Sequence, residues 1–153
     1  MNWNAKDIDL YLKERLYVDT AVIPLLPITF GEGMKQTAEQ AEFIQLLALH
    51  LERQFKGRML FIPPFTYLDT MEGAQKAETL DKWTEEARSS GFSTVFLLTS
   101  DSGWKPLESK VKGSLLWLPS VPFEHMEDQY KHSIIESQVK QLLAEIVRHW
   151  QSV

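Results

Sequence analysis

The sequence predicts an α/β fold: a single three-layer domain with a small, mostly parallel four-stranded sheet flanked by helices. Three observations predict it. Short runs rich in β-branched and aromatic residues alternate with longer stretches whose apolar residues recur at helical spacing. The run at residues 94–99, Thr-Val-Phe-Leu-Leu-Thr, is almost continuously apolar, as expected of a strand covered on both faces. The 153 residues, 44% hydrophobic and 24% charged, suit one ordinary domain with its own core and leave no room for two.

Each element follows from local pattern. Residues 4–15 read as a short helix, with Asn4 as its cap, Asp7 three residues on, and Ile8, Tyr11 and Leu12 on one face. Residues 19–23 form the first strand. Pro24 and Pro27 cannot donate to a ladder, so regular pairing is expected to end near Pro24, with residues 25–33 as an extended exit. Residues 37–56 give the clearest helix, with Gly57 as its stop. Residues 58–62 form the second strand, stopped by Pro63-Pro64. Residues 70–90 form a helix ended by Gly91, and residues 94–99 the third strand. Residues 100–106 read as a loop, and residues 111–118 hold the fourth strand. The connection between these last two strands is too short for a full helix, which leaves an irregular crossover or an antiparallel edge strand. Residues 123–151 form a long final helix. Alternation of this kind implies right-handed crossovers and a flavodoxin- or Rossmann-like sheet.

Composition excludes several functions. There is no cysteine, which removes disulfides, thiolate metal sites and cysteine nucleophiles and agrees with a reducing, cytoplasmic location. The N-terminus lacks the pattern of a secretory signal, and no window reaches the ~18 apolar residues of a membrane span, so no membrane insertion is expected. The net charge is −5, with lysines and arginines scattered among acids, so nucleic acid is not an expected partner. No cofactor or metal is expected.

Ligands of open α/β sheets bind outside the carboxyl ends of the strands. Four segments leave those ends: residues 27–33, 63–69, 99–104 and 119–125. Gly31-Glu32-Gly33 lacks both the dinucleotide and the nucleotide-loop patterns, and Glu32 repels an anion; joining chain is the commoner reading. Ser100, Asp101 and Ser102 offer hydroxyls and a carboxylate, although an Asx-type turn is the commoner use of these residues. Asp101 and His125 are the candidate catalytic pair, since a carboxylate can orient an imidazole base. Tyr67 and Trp104 lie on the same rim, placed either to stack on a ligand or to cap the sheet end. The ligand-binding candidates are therefore Tyr67, Ser100, Asp101, Ser102, Trp104 and His125. No Gly-x-Ser-x-Gly elbow occurs.

Trp3 with Asp7-Ile8, the segment at residues 17–25 (Tyr-Val-Asp-Thr-Ala-Val-Ile-Pro-Leu), the segment at residues 51–58 (Leu-Glu-Arg-Gln-Phe-Lys-Gly-Arg) and Pro63-Pro64-Phe65-Thr66-Tyr67 resemble the YpiF-like family of Gram-positive bacilli. The likeness runs over the whole chain, with its specific matches in the first 70 residues. It carries over no catalytic residue. Genes of that family tend to lie beside those for the menaquinol–cytochrome c reductase. The resemblance therefore implies a cytoplasmic role around expression or assembly of a respiratory complex.

Two functions are consistent with these residues. The first is a non-catalytic interaction module that meets a protein partner or a second copy of itself. It is motivated by the missing catalytic constellation and by five tryptophans, a residue favoured at protein contacts. The second is a small-molecule-binding or hydrolytic domain that uses the strand-end loops.

Overall fold

A computed structural model describes residues 1–152. The elements run in the order α1 (Ala5–Lys13), β1 (Thr20–Ile28), α2 (Met34–Gln54), β2 (Met59–Phe61), β3 (Phe65–Leu68), α3 (Gly73–Ser89), β4 (Thr94–Thr99), a 3₁₀ helix (Ser102–Leu107), β5 (Ser114–Trp117) and α4 (Asp128–Gln151). The sheet is parallel in the order β2-β1-β4-β5, with β3 pairing the later half of β1 beyond β2. The topology is flavodoxin-like.

Alternation along the strands divides the core into two layers. Ile23, Leu25, Val95, Leu97 and Leu115 face one side, where Tyr11 of α1, Ala77 and Leu80 of α3, and Trp104 of the 3₁₀ helix cover them. Val22, Leu26, Phe96, Leu98 and Leu116 face the other, beneath Phe43 and Leu47 of α2 and Leu142 and Ile146 of α4. Each fully buried Leu, Ile or Phe contributes roughly 1.5–3 kcal/mol of transfer free energy.

Helix ends follow their caps. The Asn4 side chain accepts from Asp7 N at 2.8 Å, and the Asp7 carboxylate accepts from Asn2 N at 2.7 Å. The Asn2 amide holds the Asp7 carboxyl below its ordinary range. Gly57 and Gly91 adopt φ of 87° and 115° just past α2 and α3, the left-handed geometry that terminates helices cheaply only at glycine.

The first strand runs further than its prolines suggest, through Pro24 and Pro27 to Ile28. In a parallel ladder, successive residues turn their N–H and C=O to opposite neighbours. Val22 O accepts from Ile62 N and Ile28 O from Asp69 N, so even-numbered residues of β1 face β2 and β3. Pro24 therefore points its missing donor at the break between β2 and β3. Pro27 faces β4 beyond the last pair of that ladder, Pro24↔Leu98. Neither costs a sheet hydrogen bond.

Three further expectations change. The segment after Pro63-Pro64 is a strand, not a loop: Phe65 and Tyr67 turn inward and pair with β1, making five strands rather than four. β5 is parallel to β4, reached through the 3₁₀ helix where a loop was expected. The final helix starts at Asp128, so Glu124 and His125 precede it instead of forming its first turn.

The outer edges also differ. Along β2, the Met1 ammonium donates to Met59 O at 3.0 Å and pairs with Glu52 at 3.0 Å, while Met1 O accepts from Phe61 N. Along β3, Thr66 and Leu68 are exposed.

Candidate functional site

The chain passes from β1 to β2 on one side of the sheet, then to β4 on the other, so the strand order reverses between β1 and β4. Open α/β sheets bind ligands at the carboxyl ends of strands beside such a reversal. Thr99, the last residue of β4, ties the two strands there by donating its hydroxyl to Leu25 O at 2.9 Å. The Thr99 hydroxyl oxygen in turn accepts from Asp101 N at 3.0 Å, which fixes the turn that follows.

Asp101 caps the 3₁₀ helix by accepting from Gly103 N at 2.9 Å. Its other oxygen accepts from the Tyr67 hydroxyl at 2.6 Å. The Tyr67 oxygen in turn accepts from the Trp104 indole at 2.6 Å. The two rings meet edge to face with centroids 5.4 Å apart. Trp104 is fully buried and Tyr67 nearly so. Burial, and then the hydrogen bond and charge of Asp101, push the Tyr67 hydroxyl far above the ordinary tyrosine range. This phenol is held as a donor.

The structure thus brings together three of the six ligand-binding candidates: Tyr67, Asp101 and Trp104. Ser102 is exposed beside them. Ser100, just past β4, is buried with its Oγ lacking a hydrogen-bond partner. His125 is 88% exposed, 3.7 Å from Glu124, and lines a groove with Lys35, Glu39 and Tyr130 that includes none of the other five candidates. Asp101 is tied to Tyr67 and Gly103, and His125 lies in the groove with Lys35 and Tyr130; among the described residues no hydrogen bond or ion pair joins the two. Glu124 is paired instead with Lys35 at 2.6 Å, which holds its carboxyl below the ordinary range.

One residue of the cluster gives no signal in sequence. Lys76, in the first turn of α3, has a side chain only 9% exposed. Its ammonium lies 4.0 Å from Asp101 Oδ2, 4.6 Å from the Trp104 ring and 5.1 Å from the Tyr67 ring. A lysine early in a polar helix reads as solvated, and only the fold places it against two aromatic rings.

Elsewhere, His50 of α2 and His132 of α4 meet edge to face at 5.6 Å, and burial lowers the His50 pKa. Among the described residues no group of three histidines and carboxylates is placed to hold a metal ion. No helix among them is long and apolar enough to cross a membrane.

Comparison with known proteins gives two matches. A family model described as a protein of unknown function (DUF2487) matches residues 9–150. The uncharacterized protein YpiF of Bacillus subtilis (strain 168) is 37% identical over 153 residues, covering 100% of each chain. No solved structure matches.

Proposed function

We propose that this chain, which belongs to the DUF2487 family, is a non-catalytic interaction module that binds a protein partner through the apolar surface of residues 3–17. The carrying observation is where the exposed apolar side chains fall. Of the twelve large hydrophobic residues left exposed, five lie in this segment: Trp3, Leu10, Leu12, Leu16 and Tyr17. Leu16 is 94% exposed and Trp3 57%. A helix that only covered the sheet would turn its leucines inward; α1 buries Tyr11 and leaves Leu10 and Leu12 outside. Exposed apolar side chains concentrated on one short segment favour a contact surface there.

Two concavities adjoin the segment. Trp3 and Trp83 flank an apolar groove of about 500 Å³ floored by Ile23, Ile62 and Phe92. Leu10 and Tyr17 line a second with Asp7, Glu52 and Lys56. Aromatic anchors beside pockets carry much of the energy of protein contacts. The resemblance to a family linked with a respiratory complex makes membrane-containing lysate the place to seek the partner.

The test is affinity capture from such a lysate with solution mass measured in parallel. Wild-type protein is expected to retain a partner that Trp3→Ser and Leu16→Ser lose while melting within a degree or two of wild type. A strictly monomeric protein that captures nothing, or captures equally as both variants, overturns the reading.

A further inference from the structure

We propose that β5 is a dimerisation edge, pairing antiparallel with β5 of a second copy of this chain across a two-fold axis. The proposal rests on how the outer edges of the sheet are treated. A bare edge strand offers unpaired N–H and C=O groups to another strand, and proteins ordinarily blunt it with charge, proline or covering chain. The β2 edge is covered by Met1, whose ammonium donates to Met59 O and whose carbonyl accepts from Phe61 N. The β3 edge follows Pro63-Pro64, and its Leu68 carbonyl is taken by Met71 N. The β5 edge lacks these devices. Ser114-Leu115-Leu116-Trp117 carries neither charge nor proline, pairs only with β4, and ends the sheet. Lys105 lies over the Trp117 ring, 3.4 Å from its centroid, and not among the backbone groups.

The register of the strand makes a second copy its fitting occupant. Leu118 N donates to Thr99 O, so even-numbered residues of this segment face β4. Leu115 and Trp117 therefore turn their N–H and C=O outward, and among the described residues nothing pairs with them. An antiparallel ladder bonds residues that both point toward the partner. Setting Leu115 of one copy opposite Trp117 of the other meets that condition at both ends of the pair, so all the outward groups of β5 find partners. Leu116 then faces itself across the axis, and each Trp117 side chain stands beside a Leu115, an aromatic–aliphatic cross-strand pair. Charge agrees with this alignment. The strand has none, and the nearest flanking lysine, Lys112, comes opposite Ser120 instead of a like charge. The pairing is isologous, so it closes at two chains.

This edge lies across the sheet from β2 and Met1, apart from the N-terminal contact surface, and tests separately. One short strand makes a small and therefore weak interface, so solution mass is measured from about 10 µM to 1 mM protein. Wild type should pass from one chain to two and stop there, and Trp3→Ser and Leu16→Ser should do the same. Trp117→Val removes the ring and keeps the outward N–H; Trp117→Pro removes the N–H as well and costs no bond to β4. The valine variant should still dimerise, and the proline variant should dimerise at least tenfold more weakly than it. Should Trp117→Pro fail to fold, amide hydrogen exchange of the wild type decides. The Leu115 and Trp117 amides should gain protection as protein concentration rises, while Thr66 at the β3 edge should not. A wild type that stays a single chain to about 1 mM, equal dimerisation of the valine and proline variants, or protection gained elsewhere but not at Leu115 and Trp117 overturns the proposal.

Discussion

Trp104 donates its indole N–H to the Tyr67 hydroxyl at 2.6 Å, and that hydroxyl donates in turn to Asp101 Oδ2 at 2.6 Å. Replacing Tyr67 with Phe leaves the ring packing and removes one oxygen. The fully buried indole then has no acceptor, and one Asp101 oxygen loses its donor. Stranding such groups costs about 1–3 kcal/mol each, so Tyr67→Phe should destabilise by about 2–4 kcal/mol in urea unfolding. A loss under about 1 kcal/mol would show that water replaces the hydroxyl.

The same phenol sets a dependence on alkaline pH. In the unfolded chain Tyr67 releases its proton near pH 10. In the fold it holds that proton, because burial and Asp101 raise its pKa. Above about pH 10 the unfolded state therefore binds fewer protons than the native state, and stability falls by up to about 1.4 kcal/mol per pH unit from this group. Below about pH 10 its contribution is constant. Unfolding midpoints measured from about pH 9 to 11 should fall more steeply for wild type than for Tyr67→Phe. Parallel slopes would contradict this.

Gly113 precedes β5 against the core. A Cβ added there would stand 2.8 Å from Leu97 Cγ, and Leu97 is fully buried. Gly113→Ala should cost about 1–3 kcal/mol by overpacking, read as a lower melting temperature. An unchanged melting temperature would mean that β5 shifts without penalty.

The last turn of α4 is tied to the opposite end of the sheet. Trp150 donates its indole to Thr20 Oγ1 at 3.0 Å, meets Phe55 edge to face at 5.0 Å, and carries the Arg58 guanidinium 3.7 Å above its ring. Trp150→Ala should cost about 2–4 kcal/mol, while Trp150→Phe should recover about half. Equal losses for the two would assign the whole effect to the indole N–H.

Much of this fold was legible in residues, and the misses share one cause. The 94–99 strand, the Asn4 cap and the Gly57 and Gly91 stops depend on local chemistry, and the structure has them where sequence places them. Pro24 misled because a missing donor matters only if its side of the strand is paired, and pairing is a tertiary fact. Phe65 to Leu68 is too short to stand out from a loop until β1 is there to receive it. At the strand ends, Tyr67, Asp101 and Trp104 were readable as loop residues on one rim. His125 was not separable from them, because a sequence does not say on which side of a sheet a loop emerges. Lys76 was invisible because a lysine early in a polar helix reads as solvated until the fold sets it against the Tyr67 and Trp104 rings.

The two prolines of β1 have a consequence for how the sheet assembles. Slipping the central strand by one residue would turn Pro24 toward β4, where the ladder requires a donor, and would expose its inward side chains to the wrong layer. Slipping it by two would carry Pro24 off the gap at residues 62–64 and onto a paired stretch. A strand this apolar has little in its side chains to choose among alignments, since almost any register buries it. The prolines supply that choice by making every neighbouring alignment lose a hydrogen bond that the native one never needed, so β1 is pinned in place by the bonds it cannot form.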